Sequence, residues 1–88
     1  MNTNTESQNL EASMSVLLMS MASSSFMAMG HTPDPQTGKT SVDKNMSRFH
    51  IDLLVILKEK TKNNLTADEQ NLLDHLIQDL QMKFLQLK

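Results

Sequence analysis

Two long segments in the second half of the chain repeat apolar residues at helical spacing. The first segment, residues 41–62, carries one stripe at intervals of three and four residues, made of Met46, Phe49, Leu53, Ile56 and Leu57. The second, residues 66–87, carries Leu72, Leu73, Leu76, Ile77, Leu80, Phe84 and Leu87. This spacing places side chains on one face of an amphipathic helix. The pattern therefore predicts two helices.

Residues at the ends of these segments are typical of helix termini. Ser41 is predicted to cap the first helix, because its hydroxyl can accept a bond from a free backbone amide. Thr66 and Glu69 have the spacing of a capping box at the start of the second. Asn63 or Asn64 can take the left-handed position after the first helix. Since so few residues separate the two helices, they are predicted to form an antiparallel hairpin.

The apolar surface of the 41–62 helix is wider than one neighbouring helix covers. We expect the Phe49, Leu53 and Ile56 stripe to face the 66–87 helix. A second set then points away from this contact and consists of Ile51, Leu54 and Val55. The N-terminal helix, or another copy of the chain, is the expected cover for that second set.

Residues 10–30 form a third apolar segment, rich in methionine and serine, with no charge between Glu11 and Asp34. Its larger side chains recur near helical spacing, which predicts a helix that Gly30 ends in a left-handed conformation. The segment is also close to the ~20 residues that span a bilayer. The alternative to a soluble helical module is therefore a small protein of the inner membrane, inserted through residues 12–29.

The remaining segments are polar or rich in turn-forming residues. Residues 1–9 lack periodic apolar positions and are predicted to be a disordered tail. Residues 31–40 form a linker, because Pro33 and Pro35 are incompatible with a regular helix. Asp34 and Gly38 predict a tight turn within it. Residues 10–88 are therefore interpreted as one small helical domain.

Composition narrows the classes of function. A chain of 88 residues without cysteine is marginally stable by itself and has no disulfide to compensate, so self-association or a protein partner is expected. The net charge of −2 argues against a nucleic-acid binder. The lack of cysteine is compatible with a cytoplasmic protein.

Several motifs resemble a family of small bacterial proteins known as domain of unknown function 1844. They are HTPDPQTG at 31–38, IDLL at 51–54, LKEKTK at 57–62, NLT at 64–66, and DL and MKF at 79–80 and 82–84. The resemblance implies a bacterial source and a shared fold, and it brings no activity. The chain departs from the family pattern at Asn63, Val55 and Gln81. Val55 makes its side of the helix more apolar and favours a contact there.

The side chains that could take part in catalysis or metal binding also have plain structural interpretations. His75 and Asp79 share a helix face and could join His50 at a metal, but their convergence is not indicated. Ser23–Ser25 lack the surroundings of a nucleophile, and small hydroxyl residues suit close helix approach. The lysines of residues 58–62 complement the helix dipole. We therefore expect no enzyme, no catalytic or metal-binding residue and no cofactor.

The sequence thus predicts an all-α protein, a helical hairpin plus an N-terminal apolar helix, that works as an interaction or assembly module. It is expected to form a homo-oligomer or to dock on a protein partner through apolar helix faces. The methionines of residues 10–30 can adapt to varied apolar partners, although filling gaps in a core is their more common use. The predicted surface comprises Met14, Leu17, Leu18, Met21, Phe26, Ile51, Leu54 and Val55.

Overall fold

The computed structural model describes residues 11–87, and these residues form three α-helices. Helix α1 spans Met14–Ala28, α2 spans Lys44–Lys60 and α3 spans Ala67–Leu85. Each helix packs against the other two. No strand occurs in the described range, so the all-α class is confirmed. The disordered tail expected for residues 1–9 lies outside the described residues.

Helix α1 is closed at both ends by local hydrogen bonds. The Ser13 hydroxyl accepts from the Val16 amide at 3.1 Å, which caps the start. At the other end Gly30 has a φ of +81°. The His31 amide donates to the Phe26 carbonyl at 3.0 Å across this turn, as in a Schellman motif. The predicted left-handed role of Gly30 is confirmed.

Helix α2 begins later than the sequence suggested. Its cap is Asp43 and not Ser41, because the Asp43 carboxylate accepts from the Met46 amide at 3.0 Å. The Asp43 amide also donates to the carbonyl of Ala28 at 2.7 Å. This bond ties the start of α2 to the end of α1 and holds residues 41–43 out of the helix. A tertiary contact therefore sets this boundary.

The turns around the hairpin follow the sequence prediction. The Thr66 hydroxyl accepts from the Glu69 amide at 3.1 Å, and the Thr66 amide donates to the Glu69 carboxylate at 2.9 Å. This reciprocal pair is the predicted capping box. Asn63 takes the left-handed conformation with φ of +70°. In the linker, the Gly38 amide donates to the Asp34 carbonyl at 2.7 Å, which closes the predicted turn.

All three helices contribute to the core. It contains Leu18, Ala22 and Met29 from the α1 segment, Ile51 and Leu54 from α2, and Leu73, Ile77 and Leu80 from α3. Ile51 and Leu54 of α2 are therefore buried together with residues of both α1 and α3. Helices α1 and α2 contact each other through two serines with no solvent exposure. Here the Ser25 hydroxyl donates to the Ser47 carbonyl at 3.3 Å, so the small residues allow the backbones to come together.

The prediction that the Phe49, Leu53 and Ile56 side of α2 faces α3 is wrong. Phe49 and Ile56 are each 54% exposed. Since α2 packs against both α1 and α3, the side between those helices is buried, and it carries Ser47, Ile51 and Leu54. Two residues along a helix correspond to a rotation of about 200°. Phe49 therefore points away from Ser47, and Ile56 points away from Leu54.

Candidate interaction surface

The outward side of α2 carries an apolar strip that no other described helix covers. We define the outer strip as Met46, Phe49, Leu53 and Ile56, which follow one another at intervals of three, four and three residues. Met46 is 45% exposed and Phe49 and Ile56 are 54% exposed, whereas Leu53 is half-buried. This spacing is that of the seam by which one helix packs along another. The strip is therefore suited to contact a helix.

Helix α1 also presents apolar residues to solvent. Val16, Leu17 and Met19 are about half exposed, and no residue of the helix carries a charge. An exposed helix in a soluble domain ordinarily has a charged or strongly polar outer side, whereas one that is apolar all round is ordinarily buried. The solvent side of α1 therefore resembles that of a helix covered by another molecule.

The exposed sides of α1 and α2 meet along a groove. A cavity of about 280 Å³ is lined by Ser24 and Met27 of α1, by Met46 and His50 of α2, and by the charged residues Asp34, Lys39 and Asp43. Leu17 lies two turns before Ser24 on the same side of α1, and Leu53 lies two turns after Met46 on the same side of α2. We define the α1–α2 face as Leu17, Ser24, Met27, Met46 and Leu53.

Three cationic residues of α2, Lys44, Arg48 and Lys58, lie next to α3. The Lys58 ammonium forms an ion pair with Asp74 at 2.9 Å, and Lys44 lies 5.9 Å from the centre of the Phe84 ring. Arg48 also lines a cavity of about 340 Å³ between α2 and α3, together with residues of α3. On the side of α2 next to α1, Asp43 at the start of the helix supplies a charge to the cavity between the two helices.

The ion pair between α2 and α3 perturbs one carboxyl group. The hydrogen bond from Lys58 lowers the pKa of Asp74 below its ordinary value. A second bond, from the Gln70 side-chain amide at 3.1 Å, acts in the same direction. Partial burial opposes this shift because it disfavours the charged form. The carboxylate therefore contributes to holding the hairpin together.

The residues predicted as the interaction surface lie at three depths. Leu18, Ile51 and Leu54 are at most 4% exposed and belong to the core of the chain itself, so their expected place on an accessible surface is corrected. Three others are half-buried against this core, namely Met14, Met21 and Phe26. Leu17 is 46% exposed and Val55 is 38% exposed, so these two remain available to a partner.

Sequence reasoning missed the accessible role of Met46, Phe49 and Ile56. Their periodicity was recognised but was assigned to the contact with α3. A useful signal was the composition beside each stripe: Asp52, Glu59 and Lys60 border the outer strip, whereas the buried side carries the small residue Ser47. Charged neighbours favour solvent, and a small residue permits close helix packing.

The other chemical candidates are separated or occupied by structural contacts. Nowhere in residues 11–87 do three or more His, Asp or Glu side chains gather as metal ligands. Asp79 accepts from the Lys83 ammonium at 2.6 Å, and the His50 ring nitrogen lies 3.0 Å from the Met46 carbonyl oxygen. Ser25 is used in the contact between α1 and α2.

The membrane-spanning alternative for residues 12–29 is not supported. Among the helices of the described chain, none has both the length and the apolar character needed to cross a bilayer. Helix α1 has 15 residues and is therefore about 22 Å long, whereas the hydrocarbon layer is about 30 Å thick.

Comparison with known proteins gives one family match. The model of a family described as Domain of unknown function (DUF1844) matches residues 11–86, which confirms the resemblance drawn from the motifs. No curated protein and no solved structure matches the chain. The match covers all three helices and the turns between them.

Proposed function

We propose, from the premise that this chain belongs to the DUF1844 family, that it is a non-catalytic interaction module. Its role is to bind other proteins through the apolar outer side of α2. The observation that carries the proposal is the outer strip, where Phe49 and Ile56 stay 54% exposed at the spacing of a helix-packing seam.

The limited core supports this proposal. Among the described residues, nine hydrophobic residues are buried, and two of these are alanines, whereas ten large hydrophobic residues are exposed. Single exposed hydrophobic residues are ordinary, but a contiguous apolar patch on a monomer marks a binding surface. The outer strip is such a patch, because its members occupy successive turns of one helix.

A cytoplasmic location belongs to the same proposal. It is supported by a sequence without cysteine, which suits a reducing compartment. Fractionation of cells should recover the protein with cytoplasmic markers. Recovery with exported proteins would contradict this location and would leave the interaction role intact.

A double substitution tests the role of the outer strip. The tagged full chain and the double variant Phe49→Glu with Ile56→Glu are each used to capture proteins from a lysate of the native cells. We expect the double variant to lose a protein that the tagged full chain retains in stoichiometric amount. An untagged copy of the chain counts as such a protein. A charge that becomes buried in an apolar contact without a partner opposes binding strongly. Because both positions are exposed in the chain, circular dichroism should show unchanged helicity.

A matched control has the same spacing on another helix. Asn71 and Gln78 are exposed on α3 and are also seven residues apart, so Asn71→Glu with Gln78→Glu adds two acidic residues away from the strip. This control should retain the captured protein. Equal capture by the chain and by both double variants would refute the proposed function.

A further inference from the structure

We infer that the partner is an amphipathic helix of another protein, with lysine or arginine side chains beside its apolar side. This inference rests on the proposed function, because it names the chemistry of the molecule that the outer strip binds. It follows from the charged residues that border the strip on α2.

The outer strip has the register of a coiled-coil seam. In a heptad, Met46 and Leu53 occupy the a positions, and Phe49 and Ile56 occupy the d positions. The strip extends along α2 for about 16 Å, which corresponds to roughly three turns. A single helix of similar length is therefore the occupant whose shape fits, because its side chains can enter the spaces between those of the strip.

Carboxylates line one edge of the strip. Asp52 directly precedes Leu53 and Glu59 lies seven residues later, so both occupy g positions. Both residues are exposed, and neither forms an ion pair with another residue in the described part of the chain. Side chains at g positions meet residues of the paired helix, and opposite charges there decide which partner binds. The two carboxylates therefore favour a partner with cations beside its seam.

The nearby cations of α2 leave this edge acidic. Arg48 and Asp52 both line the cavity between α2 and α3, but they form no ion pair with each other. Lys60 follows Ile56 by four residues, so it lies on the line of the strip itself and marks its end. Asp52 and Glu59 thus remain available to charged groups of a partner.

The same carboxylates disfavour a second copy of the chain. An antiparallel pair of identical strips brings like edges together, so the two Asp52 side chains would face each other, and repulsion between like charges is costly. A parallel pair sets the acidic edge against the opposite edge, which carries His50 and Leu57 and no Lys or Arg. Neither arrangement supplies a fixed cation to the carboxylates, whereas a basic helix does.

Binding of two synthetic peptides to the purified full chain tests this inference. Both peptides are amphipathic helices of about three heptads with leucine on the seam. One has lysine beside the seam, and the other has glutamate at the same positions. In fluorescence anisotropy at low salt, we expect the lysine peptide to bind about tenfold more tightly than the glutamate peptide. High salt should reduce this preference, because it screens exposed charges.

A matched pair of variants separates the acidic edge from the net charge of the chain. Asp52→Asn should weaken binding of the lysine peptide about twofold to threefold and strengthen binding of the glutamate peptide. Asp68→Asn makes the same change at an exposed position of α3 and should leave both affinities nearly unchanged. Phe49→Ala with Ile56→Ala shortens the strip's side chains without a change of charge and should weaken both peptides at least about tenfold.

The outcomes separate this inference from the proposed function. Failure of both peptides to bind, equal affinities, or equal effects of Asp52→Asn and Asp68→Asn would overturn the basic helix as the occupant. So would binding of the lysine peptide that Phe49→Ala with Ile56→Ala leaves unchanged. A purified chain that sediments as a dimer, and that this alanine variant makes monomeric, would identify a second copy as the occupant instead.

In each of these cases the interaction role stands if Phe49→Glu with Ile56→Glu still loses a captured protein. If that double variant loses nothing, the proposed function itself fails.

Discussion

The two sides of α2 differ most sharply at Leu54 and Ile56. Leu54 has no solvent exposure and packs among residues of all three helices. Ile56 lies two positions later and is 54% exposed. Truncating each to alanine removes three carbon atoms, so the pair compares the same chemical change in two environments. We expect Leu54→Ala to destabilise the fold severely and Ile56→Ala to affect it little.

The magnitude follows from burial. The fully buried Leu54 loses its transfer free energy and leaves a cavity, which together cost about 2–5 kcal/mol. Ile56 is already half in water and leaves no enclosed cavity. Alanine is also a better helix former than isoleucine by a few tenths of a kcal/mol. The net cost of Ile56→Ala in the monomer is therefore expected to stay below about 1 kcal/mol.

Thermal unfolding followed by circular dichroism measures this difference. For a domain of this size, 1 kcal/mol corresponds to a shift of about 4–8 °C in Tm. Leu54→Ala should thus lower Tm by at least about 8 °C. Ile56→Ala should lower it by no more than a few degrees when the protein is dilute enough to be monomeric.

Protein concentration separates folding from association. If the outer strip binds another copy of the chain, the Tm of the native chain will rise with concentration more steeply than that of Ile56→Ala. Leu54→Ala should remain strongly destabilised at every concentration. Equal losses of Tm in the two variants under dilute conditions, or a larger loss in Ile56→Ala, would refute the assignment of the buried and exposed sides of α2.

Two further predictions concern contacts between helices. Ser25→Leu should cost about 1–3 kcal/mol in urea unfolding, because the larger side chain does not fit against Ser47, whereas Ser23→Leu on the exposed side should cost much less. Asp74 has a lowered pKa in the folded state, so its stabilisation is present above the unfolded pKa of about 3.9 and is lost as pH falls through the lower folded value. Asp74→Asn should therefore be less stable than the native chain at neutral pH, and the two stabilities should converge in acid. A difference in the free energy of unfolding that stays constant with pH would contradict the role of Lys58.

Local features of the sequence accounted for the helices and most of their ends. Gly30 and Asn63 adopt the left-handed conformations expected of them, and Thr66 with Glu69 forms the expected capping box. These features depend on residues within a few positions of one another, so the relevant interactions are visible in the sequence. The start of α2 was different, because the bond from Asp43 to Ala28 crosses from one helix to another.

The choice between the two apolar sides of α2 required the tertiary structure. Phe49 with Ile56 and Ile51 with Leu54 both follow helical spacing, so periodicity ranks neither side as the buried one. The decision depends on where α1 lies, and α1 contacts the Ser47 side of α2 through Ser25. The sequence by itself determined three helices and an excess of apolar surface. Only packing among distant segments decided which part of that surface stays exposed, because burial depends on all neighbouring helices at once.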